Sequence, residues 1–384
     1  MNQPAIPQQP DETFVGVTGV GYELGDTLLT NDDISAIIKQ NVIKRKGSDK
    51  LTDEEVKALL TNDEWIRTMT GIATRYWHKS GATSDLAAKA IHKAVQNAGR
   101  SGELEFIITA TVSPDHLYSP TVSCLVHAKL GVAVRNALGY HSCLPIDVGL
   151  ACSSFGAALM VGYSFIRSGL FSYGVVVGAD KMSSTVDHGD RNFMPLMGDA
   201  AAAFVLERVD QKRDSFPWGA QGFLPGVDTS GVMNIIARAG GSAEPIALES
   251  MQTAATTPGV LQPGKLWQDG HKVMRHMSPV LPQVIKQLCR QAKLNLSAIS
   301  YIFPHQANLR IIKEVQSRMP KQSRKKFFTT IARFANTTSA SVPLGVAIAV
   351  EEEKLRPGMV ILLAPFGAGY SFVPILMKWT ANQP

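Results

Sequence analysis

Apolar runs alternate with helical patterns along most of the chain. In the first half, short runs rich in Val, Ile, Leu and Ala predict strands at residues 106–111, 146–150, 174–179 and 201–206. Residues 153–168 repeat apolar positions at helical spacing and predict a helix. The second half predicts helices at 279–293, 309–319 and 340–354, and strands at 299–303, 359–365 and 371–378. Strands that alternate with helices indicate an α/β fold.

Two stretches interrupt this alternation. Residues 41–60 look inserted after the first helix, and their basic run Lys44-Arg45-Lys46 predicts a solvated loop. Residues 211–268 hold five prolines and many glycines, so we interpret them as a long loop elaboration and not as a domain. Because such loops often line binding sites, we expect this region at the entrance to a pocket.

Composition narrows the class of protein. The chain has 384 residues, of which 45% are hydrophobic, so it can bury a substantial core. No apolar run approaches the roughly 20 residues that a membrane-spanning helix needs. Residues 1–10 are polar and rich in proline, unlike the apolar core of a signal peptide. We therefore expect a globular protein of the cytoplasm with no membrane partner.

The net charge and the spacing of the glycines indicate which partners and cofactors to expect. A formal net charge of +6 favours an acidic partner, because basic surfaces raise the encounter rate with anionic ones. Nucleic acid would also suit a basic chain, but no recognised nucleic-acid module is present, so we expect none to bind. A dinucleotide-binding oxidoreductase is disfavoured, because the glycines after Gly19-Val20-Gly21 do not complete the fingerprint.

Four cysteines are too few and too scattered for a disulfide scaffold, and none forms a C-x-x-C pair, so no metal site is expected. Cys124, Cys143 and Cys289 are predicted to be packing residues. Cys152 differs, because it lies where an apolar strand meets a helix of small residues. Helix-start N–H groups there favour the nucleophilic thiolate and can also hold an oxyanion. The alternative is a buried, inert cysteine.

Two later segments bring further chemistry to strand ends. His305 follows a short apolar strand that ends at Pro304, and strand ends in α/β folds face the ligand crevice. Asn336 lies in a polar turn before another helix, which it could instead cap. Taken alone, a histidine such as His305 is more often a core or surface residue, and an asparagine such as Asn336 is more often a helix cap. Together with Cys152, these residues combine a thiol, an imidazole and a carboxamide.

With these residues, the chain resembles the β-ketoacyl-acyl-carrier-protein synthase III family of condensing enzymes, in the thiolase superfamily. Matching blocks follow the family's order at residues 14–38, 63–72, 147–199 and 269–379, the last with the motifs His305-Gln306-Ala307-Asn308-Leu309-Arg310-Ile311 and Phe366-Gly367-Ala368-Gly369-Tyr370. The resemblance implies a five-layered α-β-α-β-α thiolase fold of two similar halves, and a homodimer. It divides the chain into a flexible tail (1–13), an N-terminal half (14–210), the entrance loops (211–268) and a C-terminal half (269–384).

The same resemblance implies roles for the candidate residues. Cys152 would form an acyl-enzyme, with the oxyanion held by its own N–H and by that of Gly369. His305 and Asn336 would stabilise the enolate formed from a malonyl-type thioester. The pocket would be lined by Phe155 and Phe366, although aromatic residues at such positions are at least as often part of the core.

The resemblance also implies which residues at the pocket entrance recognise the carrier of the thioester. Trp65 and Arg191 would enclose the adenine of coenzyme A, and Arg310 would dock the acyl carrier protein. For the basic residues that follow, a docking surface and a solvated face both remain open; they are Arg318, Lys321, Arg324, Lys325 and Lys326. No permanently bound cofactor is expected, since acyl-CoA or acyl-carrier thioesters are substrates. Met69 stands where the family commonly has an arginine, so a phosphate or pantetheine contact is expected to be absent, which weakens the case for free acyl-CoA as the only donor.

The predicted activity is therefore a ketosynthase, an acyltransferase that forms a carbon–carbon bond by Claisen condensation with a malonyl- or β-ketoacyl-thioester. The two unusual stretches, Met69, and Ala368 within a usual glycine run favour a specialised pathway, of alkylresorcinol, cyclohexanedione or alkylquinolone type. The main alternative is fatty-acid initiation from acetyl-CoA and malonyl carrier protein. A cysteine thioester hydrolase would use the same residue types and is a further alternative.

Overall fold

The architecture is that of a computed structural model, which describes residues 13–48, 50–101, 104–131 and 142–381. Residues 1–12 of the predicted flexible tail lie outside the described residues. The strands are Phe14–Leu24 (β1), Thr27–Thr30 (β2), Thr74–Trp77 (β3), Phe106–Ala110 (β4), Leu144–Val148 (β5), Tyr173–Lys181 (β6), Asp199–Val209 (β7), Gly226–Val227 (β8), Ile235–Ala237 (β9), Leu266–Gln268 (β10), Tyr301–Pro304 (β11), Val360–Ala364 (β12), Phe366–Gly367 (β13), Ser371–Phe372 (β14) and Ile375–Lys378 (β15). The α-helices are Asn31–Lys46 (α1), Asp53–Leu59 (α2), Asp63–Thr70 (α3), Thr83–Asn97 (α4), Val122–Lys129 (α5), Ser154–Arg167 (α6), Leu248–Thr256 (α7), Gly270–Gln291 (α8), Leu309–Ser317 (α9), Ile331–Phe334 (α10) and Ser341–Glu351 (α11).

The elements that the hydrophobic pattern predicts are present, with two notable differences. The predicted strand at 371–378 is two strands, because β14 pairs with β13 and β8 whereas β15 pairs with β12. The predicted helix at 279–293 begins nine residues earlier, since the side chain of Asp269 caps it by accepting from the Lys272 N–H.

The layers follow from two sheets. The first has the order β1-β7-β6-β4-β5, with β6, β4 and β5 parallel and β1 and β7 antiparallel. The second has the order β11-β12-β15. Helices α4 and α5 cover the outer face of the first sheet, α6 and α11 lie between the sheets, and α8 and α9 cover the second. This α-β-α-β-α arrangement confirms the predicted thiolase-like fold.

Apolar residues on both faces of each strand explain why the sheets are enclosed. In β12, Ile361 and Leu363 pack toward the central helices, whereas Leu362 and Ala364 pack toward α8 and α9. The central helix α11 is buried at every position from residue 341 to 350. A helix that is apolar all round is stable only inside such a core, so the pattern fixes α11 as the central layer.

The inserted stretch is largely helical, and the prediction of a solvated loop was wrong. Residues 44–46 form the last turn of α1, which ends at Gly47, and α2 follows. Arg45 is only 8% exposed and is paired with Asp187. The basic run misled because a helix turns neighbouring side chains to different faces.

The other cysteines and the early glycines have structural explanations. Cys289 is buried in the core around α8, but Cys124 is exposed, so its prediction as a packing residue was wrong. Gly19 and Gly21 lie in β1 against α4, where an added Cβ on Gly19 would come within 2.2 Å of the Ala94 carbonyl oxygen. Close packing, not nucleotide binding, accounts for them.

Within the described residues, no helix has the length and apolar character that crossing a membrane requires. The same part of the chain contains no cluster of three or more His, Cys, Asp or Glu side chains placed to hold a metal ion.

Candidate active site

Cys152 lies in a tight turn between β5 and α6. Two serines hold this turn: Ser153 Oγ donates to the Leu150 carbonyl at 2.8 Å, and Ser154 Oγ donates to the Ala151 carbonyl at 2.6 Å. Ala151 has φ of 48°, a left-handed conformation that is costly for a residue with a side chain. The turn thus presents Cys152 just before the N-terminus of α6, as the sequence predicts.

A second backbone segment reaches the sulfur of Cys152. An added Cβ on Gly367 would lie 2.6 Å from the Cys152 nitrogen, so only glycine allows this approach. The N–H of the next residue, Ala368, and the N–H of Cys152 itself both lie close enough to the Cys152 sulfur to lower its pKa. Two amides therefore meet at one point, as in an oxyanion hole.

The second amide differs from the one expected. The family resemblance implies the N–H of Gly369, whereas in the structure it is the N–H of Ala368 that acts on the Cys152 sulfur. Gly369 instead has φ of 72°, a conformation that favours glycine and shapes the turn before Tyr370. Sequence alone could not separate these adjacent residues, because the distinction depends on which amide points at the sulfur.

The thiol of Cys152 is not ionised in the resting protein. Burial, and after it the negative charge of Asp180, raises its pKa to about 12, although the two amides act in the opposite direction. The backbone N–H groups favour the thiolate, as expected, but burial and the charge of Asp180 outweigh them. At neutral pH the group is a thiol that must lose its proton as it attacks.

The pH dependence of cysteine alkylation tests this state. Because the pKa is about 12, the thiolate fraction of Cys152 rises about tenfold per pH unit below that value. We expect the logarithm of its iodoacetamide rate to rise linearly from pH 6 to 10, followed by peptide-resolved mass spectrometry. Exposed Cys124 in the same samples provides the internal control. A plateau below pH 8 at Cys152 would instead show a depressed pKa.

His305 follows β11 and is buried, at 2% exposure. Its Nδ1 lies 2.6 Å from the Oγ of Ser341 at the start of α11, and its ring packs edge-on against Phe366, with centroids 5.1 Å apart. Burial lowers the pKa of His305 to about 3. The imidazole is therefore neutral at physiological pH.

Asn336 is oriented by its own turn. Its backbone joins the first half of the chain, because its N–H donates to the Leu196 carbonyl at 2.8 Å and its carbonyl accepts from Gly198 N–H at 3.0 Å. Its Oδ1 accepts from the Thr338 N–H at 2.9 Å. With the amide oxygen used in this way, Nδ2 is the part of the side chain available to a substrate.

Backbone strain gathers around these residues. Ala335 and Thr338, on either side of Asn336, have φ of 58° and 46°, and Tyr370, close to the Ala368 amide, has φ of 53°. Left-handed conformations of such residues cost on the order of 1 kcal/mol or more each, and they persist where the surrounding structure requires them. With Ala151, three of the four backbone segments that form the site contain such a residue, and the segment of His305 does not.

A buried carboxylate that the sequence analysis missed joins these segments. Asp180, at the end of β6, accepts from the Val112 and Ser113 N–H groups through Oδ1, and from the Ser339 N–H through Oδ2. The hydroxyls around it donate too, those of Thr111, Ser113, Thr338 and Ser339. Asp180 thus links the first sheet to the turn that carries Asn336.

Cys152, His305 and Asn336 line one cavity of about 670 Å³. Its apolar lining includes Leu196, Met197, Ile235, Leu266, Val273, Met277 and Phe366. Phe155, predicted to line the pocket, instead lies fully buried between the sheets against Phe204, with ring centroids 5.1 Å apart, and does not line the cavity. The helix that carries Phe155 turns it away from the turn at Cys152.

The entrance of the cavity holds the predicted recognition residues. Trp65, Arg191, Arg310 and Met69 all line it. Arg310 is exposed in the first turn of α9, and its Nη1 lies 3.6 Å from the Met69 sulfur. The entrance is also lined by residues 259–261 and 266–268 of the loop elaboration.

The five-layered fold, with a helix-start cysteine, a histidine and an asparagine in one cavity, defines a class, the thiolase-fold condensing enzymes. The comparison with known proteins narrows that class. Residues 146–222 match the family description 3-oxoacyl-[acyl-carrier-protein (ACP)] synthase III, and residues 289–379 match its C-terminal part.

Whole-chain comparisons agree. The beta-ketoacyl-[acyl-carrier-protein] synthase III of Fusobacterium nucleatum is 34% identical over 95% of this chain and 98% of that protein. The crystal structures of 3-oxoacyl-[acyl-carrier-protein] synthase III from Aquifex aeolicus and Pseudomonas aeruginosa have TM-scores of 0.75 and 0.76, with identities of 28% and 25%, and cover 95% and 97% of this chain and all of theirs. The chain belongs to the 3-oxoacyl-[acyl-carrier-protein] synthase III family. It is therefore a condensing enzyme, a ketosynthase that transfers acyl groups.

Proposed function

We propose that the protein loads an acyl group onto Cys152 and condenses it with a malonyl thioester bound to an acyl carrier protein. The observation that carries this proposal is that Cys152, His305 and Asn336 line one cavity, and the N–H groups of Cys152 and Ala368 near the Cys152 sulfur support it. Such amides stabilise the oxyanion of acyl transfer at a carbonyl.

In the first step, the Cys152 sulfur attacks the thioester carbon, and the carbonyl oxygen takes the place between the amides of Cys152 and Ala368. The pantetheine sulfur of the acyl donor is the leaving group. It takes up the proton that Cys152 gives up and departs as a thiol. This produces an acyl-enzyme and divides the transfer into two easier reactions.

In the second step, the malonyl group loses carbon dioxide and leaves an enolate, which attacks the acyl carbon and releases the Cys152 sulfur. The enolate oxygen requires neutral donors. Asn336 Nδ2 is one, because its oxygen is held by Thr338. We assign the other to His305 Nε2–H, with His305 Nδ1 accepting from the Ser341 hydroxyl at 2.6 Å.

The alternative of a cysteine hydrolase is disfavoured by the same histidine. A hydrolase needs a base that activates water, and an efficient base has a pKa near the working pH. Burial lowers the pKa of His305 to about 3, so it is a poor base and a suitable hydrogen-bond donor.

Fatty-acid chain initiation is the pathway we propose. Relatives of 30% to 34% identity over almost the whole chain carry the name beta-ketoacyl-[acyl-carrier-protein] synthase III. Two of the departures that favoured a specialised pathway have structural roles instead: Ala58 and Leu59 of the inserted stretch line the cavity, and the N–H of Ala368 lies near the Cys152 sulfur. The specialised pathway is therefore the less supported of the two.

Product analysis tests the proposal. Acyl donors are incubated with the protein and malonyl carrier protein, and products are identified by mass. We expect a β-ketoacyl carrier product, carbon dioxide release, and an acyl adduct on the peptide that contains Cys152. An adduct elsewhere, or free acid as the sole product, would contradict the condensation.

Carrier-protein docking is proposed at Arg310, which is exposed beside the entrance. The neighbouring basic residues differ in whether their side chains are already used in hydrogen bonds within the fold. Arg324 donates to the carbonyls of Ser317 and Met319, and Lys326 to that of Leu296, so both are used within the fold. Arg310 is thus the main candidate to contact an acidic carrier.

A homodimer is proposed through β5. This strand is an edge of the first sheet, and its residues are exposed or only partly buried, unlike those of β4 beside it. Unpaired edges of this kind invite pairing with another strand. Light scattering should give twice the chain mass of 41.5 kDa. A monomer at micromolar concentration would contradict the proposal.

A further inference from the structure

Tyr370 ends the turn that carries the Ala368 N–H. Its side chain is buried, with 1% of the residue exposed, and it lines the cavity two positions after Ala368. Its φ of 53° lies in the left-handed region. Because a residue with a side chain keeps that conformation only where its surroundings require it, the contacts of Tyr370 indicate what holds this turn in place.

The contacts of the Tyr370 side chain come from the loop elaboration and from α8. Asn234 Nδ2 donates to the Tyr370 hydroxyl at 2.7 Å. The His276 ring stacks on the Tyr370 ring, with centroids 4.2 Å apart, and His276 Nε2 lies 2.8 Å from Asp228 Oδ2. Gly231 approaches so closely that an added Cβ would come within 1.9 Å of Tyr370 Cε2. The ring is therefore enclosed by residues distant in the sequence.

The backbone of the elaboration is joined to the same turn. Strand β8 pairs with β14, which follows Tyr370 directly, and the Asp228 N–H donates to the Tyr370 carbonyl at 3.1 Å. At the other end of this connection, the hydroxyl of Ser371 is hydrogen-bonded to that of Ser153, beside Cys152. The turn with the Ala368 N–H thus lies between the elaboration and the Cys152 turn.

The residues that hold Tyr370 have no direct access to the reacting groups. Gly231, Asn234 and His276 are described residues outside the cavity lining, whereas Tyr370 belongs to the lining. An oxyanion donor is effective only when it lies about 2.7 to 3.1 Å from the oxyanion. Small displacements of the Tyr370 turn should therefore affect catalysis, although the residues that cause them touch no substrate.

We propose that Tyr370 is a positioning residue, through which the loop elaboration places the Ala368 N–H against the oxyanion that forms at Cys152. Asn234 and His276 hold the Tyr370 ring in place. This inference rests on the proposed acyl transfer to Cys152, and it adds to that reaction a set of residues outside the cavity lining.

Gly231→Ala tests this role by displacing the Tyr370 ring without removing any group from the cavity. Gly231 has φ of −129°, outside the left-handed region, so the close approach to the ring is the main effect of the new methyl group. With acetyl-CoA as donor, we expect the maximal acylation rate of Cys152 to fall about 10- to 100-fold, while KM changes by less than about twofold. Gly241→Ala, in the same elaboration, is the matched control, because its added Cβ meets nothing within 4 Å.

Decarboxylation of malonyl carrier protein in the absence of acyl donor separates positioning from general damage. The donors that we assign to the enolate, His305 and Asn336, lie on other segments than Tyr370. The decarboxylation rate of Gly231→Ala should therefore stay within about twofold of the wild type. Equal losses in acylation and decarboxylation would show that the substitution distorts the whole cavity, and would overturn the positioning role.

Alkylation of Cys152 by iodoacetamide gives a readout that needs no acyl donor. The Ala368 N–H lowers the pKa of Cys152, so its displacement should raise that pKa and slow alkylation at a fixed pH. We expect the rate at pH 8 to fall about threefold or more in Gly231→Ala, and the rate at exposed Cys124 in the same samples to stay unchanged. An unchanged rate at Cys152 would overturn the link between the elaboration and the Ala368 N–H.

Two further variants decide the question if Gly231→Ala does not fold. Asn234→Ala removes only the hydrogen bond to the Tyr370 hydroxyl and should slow acylation about three- to tenfold, again without a change in decarboxylation. Tyr370→Phe removes the same bond from the other side and should match it. Wild-type acylation rates in these variants, or a change in KM alone, would overturn the positioning role. Failure of every donor to acylate the wild type would instead overturn the proposed acyl transfer, whatever the alkylation rates.

Discussion

Replacing Cys152 with alanine is expected to abolish the acyl-enzyme and to lower the condensation rate by a factor on the order of 10⁴ or more. The reason is that the acyl group has no other acceptor between the amides of Cys152 and Ala368. The substitution keeps the backbone N–H of residue 152, so the loss is confined to the sulfur. Intact-protein mass after incubation with donor, and product formation with malonyl carrier protein, measure both effects.

Acylation and decarboxylation can be measured separately, and the two measurements distinguish the role of Cys152 from that of Asn336. The Cys152→Ala variant should still decarboxylate malonyl carrier protein, because the donors that we assign to the enolate, His305 and Asn336, remain. Asn336→Ala should show the reverse, with acylation of Cys152 retained and decarboxylation reduced by about 10²- to 10³-fold. Cys124→Ala, which changes an exposed cysteine away from the cavity lining, should match the wild type. Condensation at the native rate in Cys152→Ala would refute the nucleophile.

The parts of the site that could be predicted are those carried by strand ends. The pattern of apolar runs placed Cys152 after β5 and His305 after β11, and the structure brings both to one cavity. Asn336 was predicted from a polar turn before an apolar helix, and that turn precedes α11. Local sequence sufficed because each residue sits beside an element that its own neighbours define.

The parts that could not be predicted depend on contacts between distant residues. Asp180 reads as an ordinary residue at the end of an apolar run, yet its partner Ser339 lies 159 positions away. Arg45 looked solvated until Asp187, 142 positions away, was placed beside it. Phe155, three residues after Cys152, is predicted to line the pocket, but the direction of a helical side chain decides whether it faces a cavity or the core.

Replacing Asp180 with asparagine is expected to destabilise the folded protein by about 3 to 5 kcal/mol. Both carboxylate oxygens accept from backbone N–H groups, Oδ1 from Val112 and Ser113 and Oδ2 from Ser339. A backbone N–H cannot become an acceptor, so whichever way the asparagine amide turns, its NH₂ faces at least one donor. Denaturant unfolding of the variant and the wild type measures the difference.

Asp214→Asn separates this effect from the general loss of a partly buried charge. Asp214 is partly buried, whereas Asp180 is fully buried, and Asp214 Oδ1 accepts the Phe216 N–H at 2.9 Å, which an amide oxygen can also accept. The Asp214→Asn substitution should therefore lower the free energy of unfolding by less than about 1 kcal/mol. The Asp180→Asn substitution should also lower the pKa of Cys152, because the negative charge of Asp180 helps to raise that pKa. In the folded variant, alkylation of Cys152 at a fixed pH should therefore be faster than in the wild type. A stability loss no larger than that of Asp214→Asn would show that the segments around Asn336 are held together by packing and not by the Asp180 carboxylate.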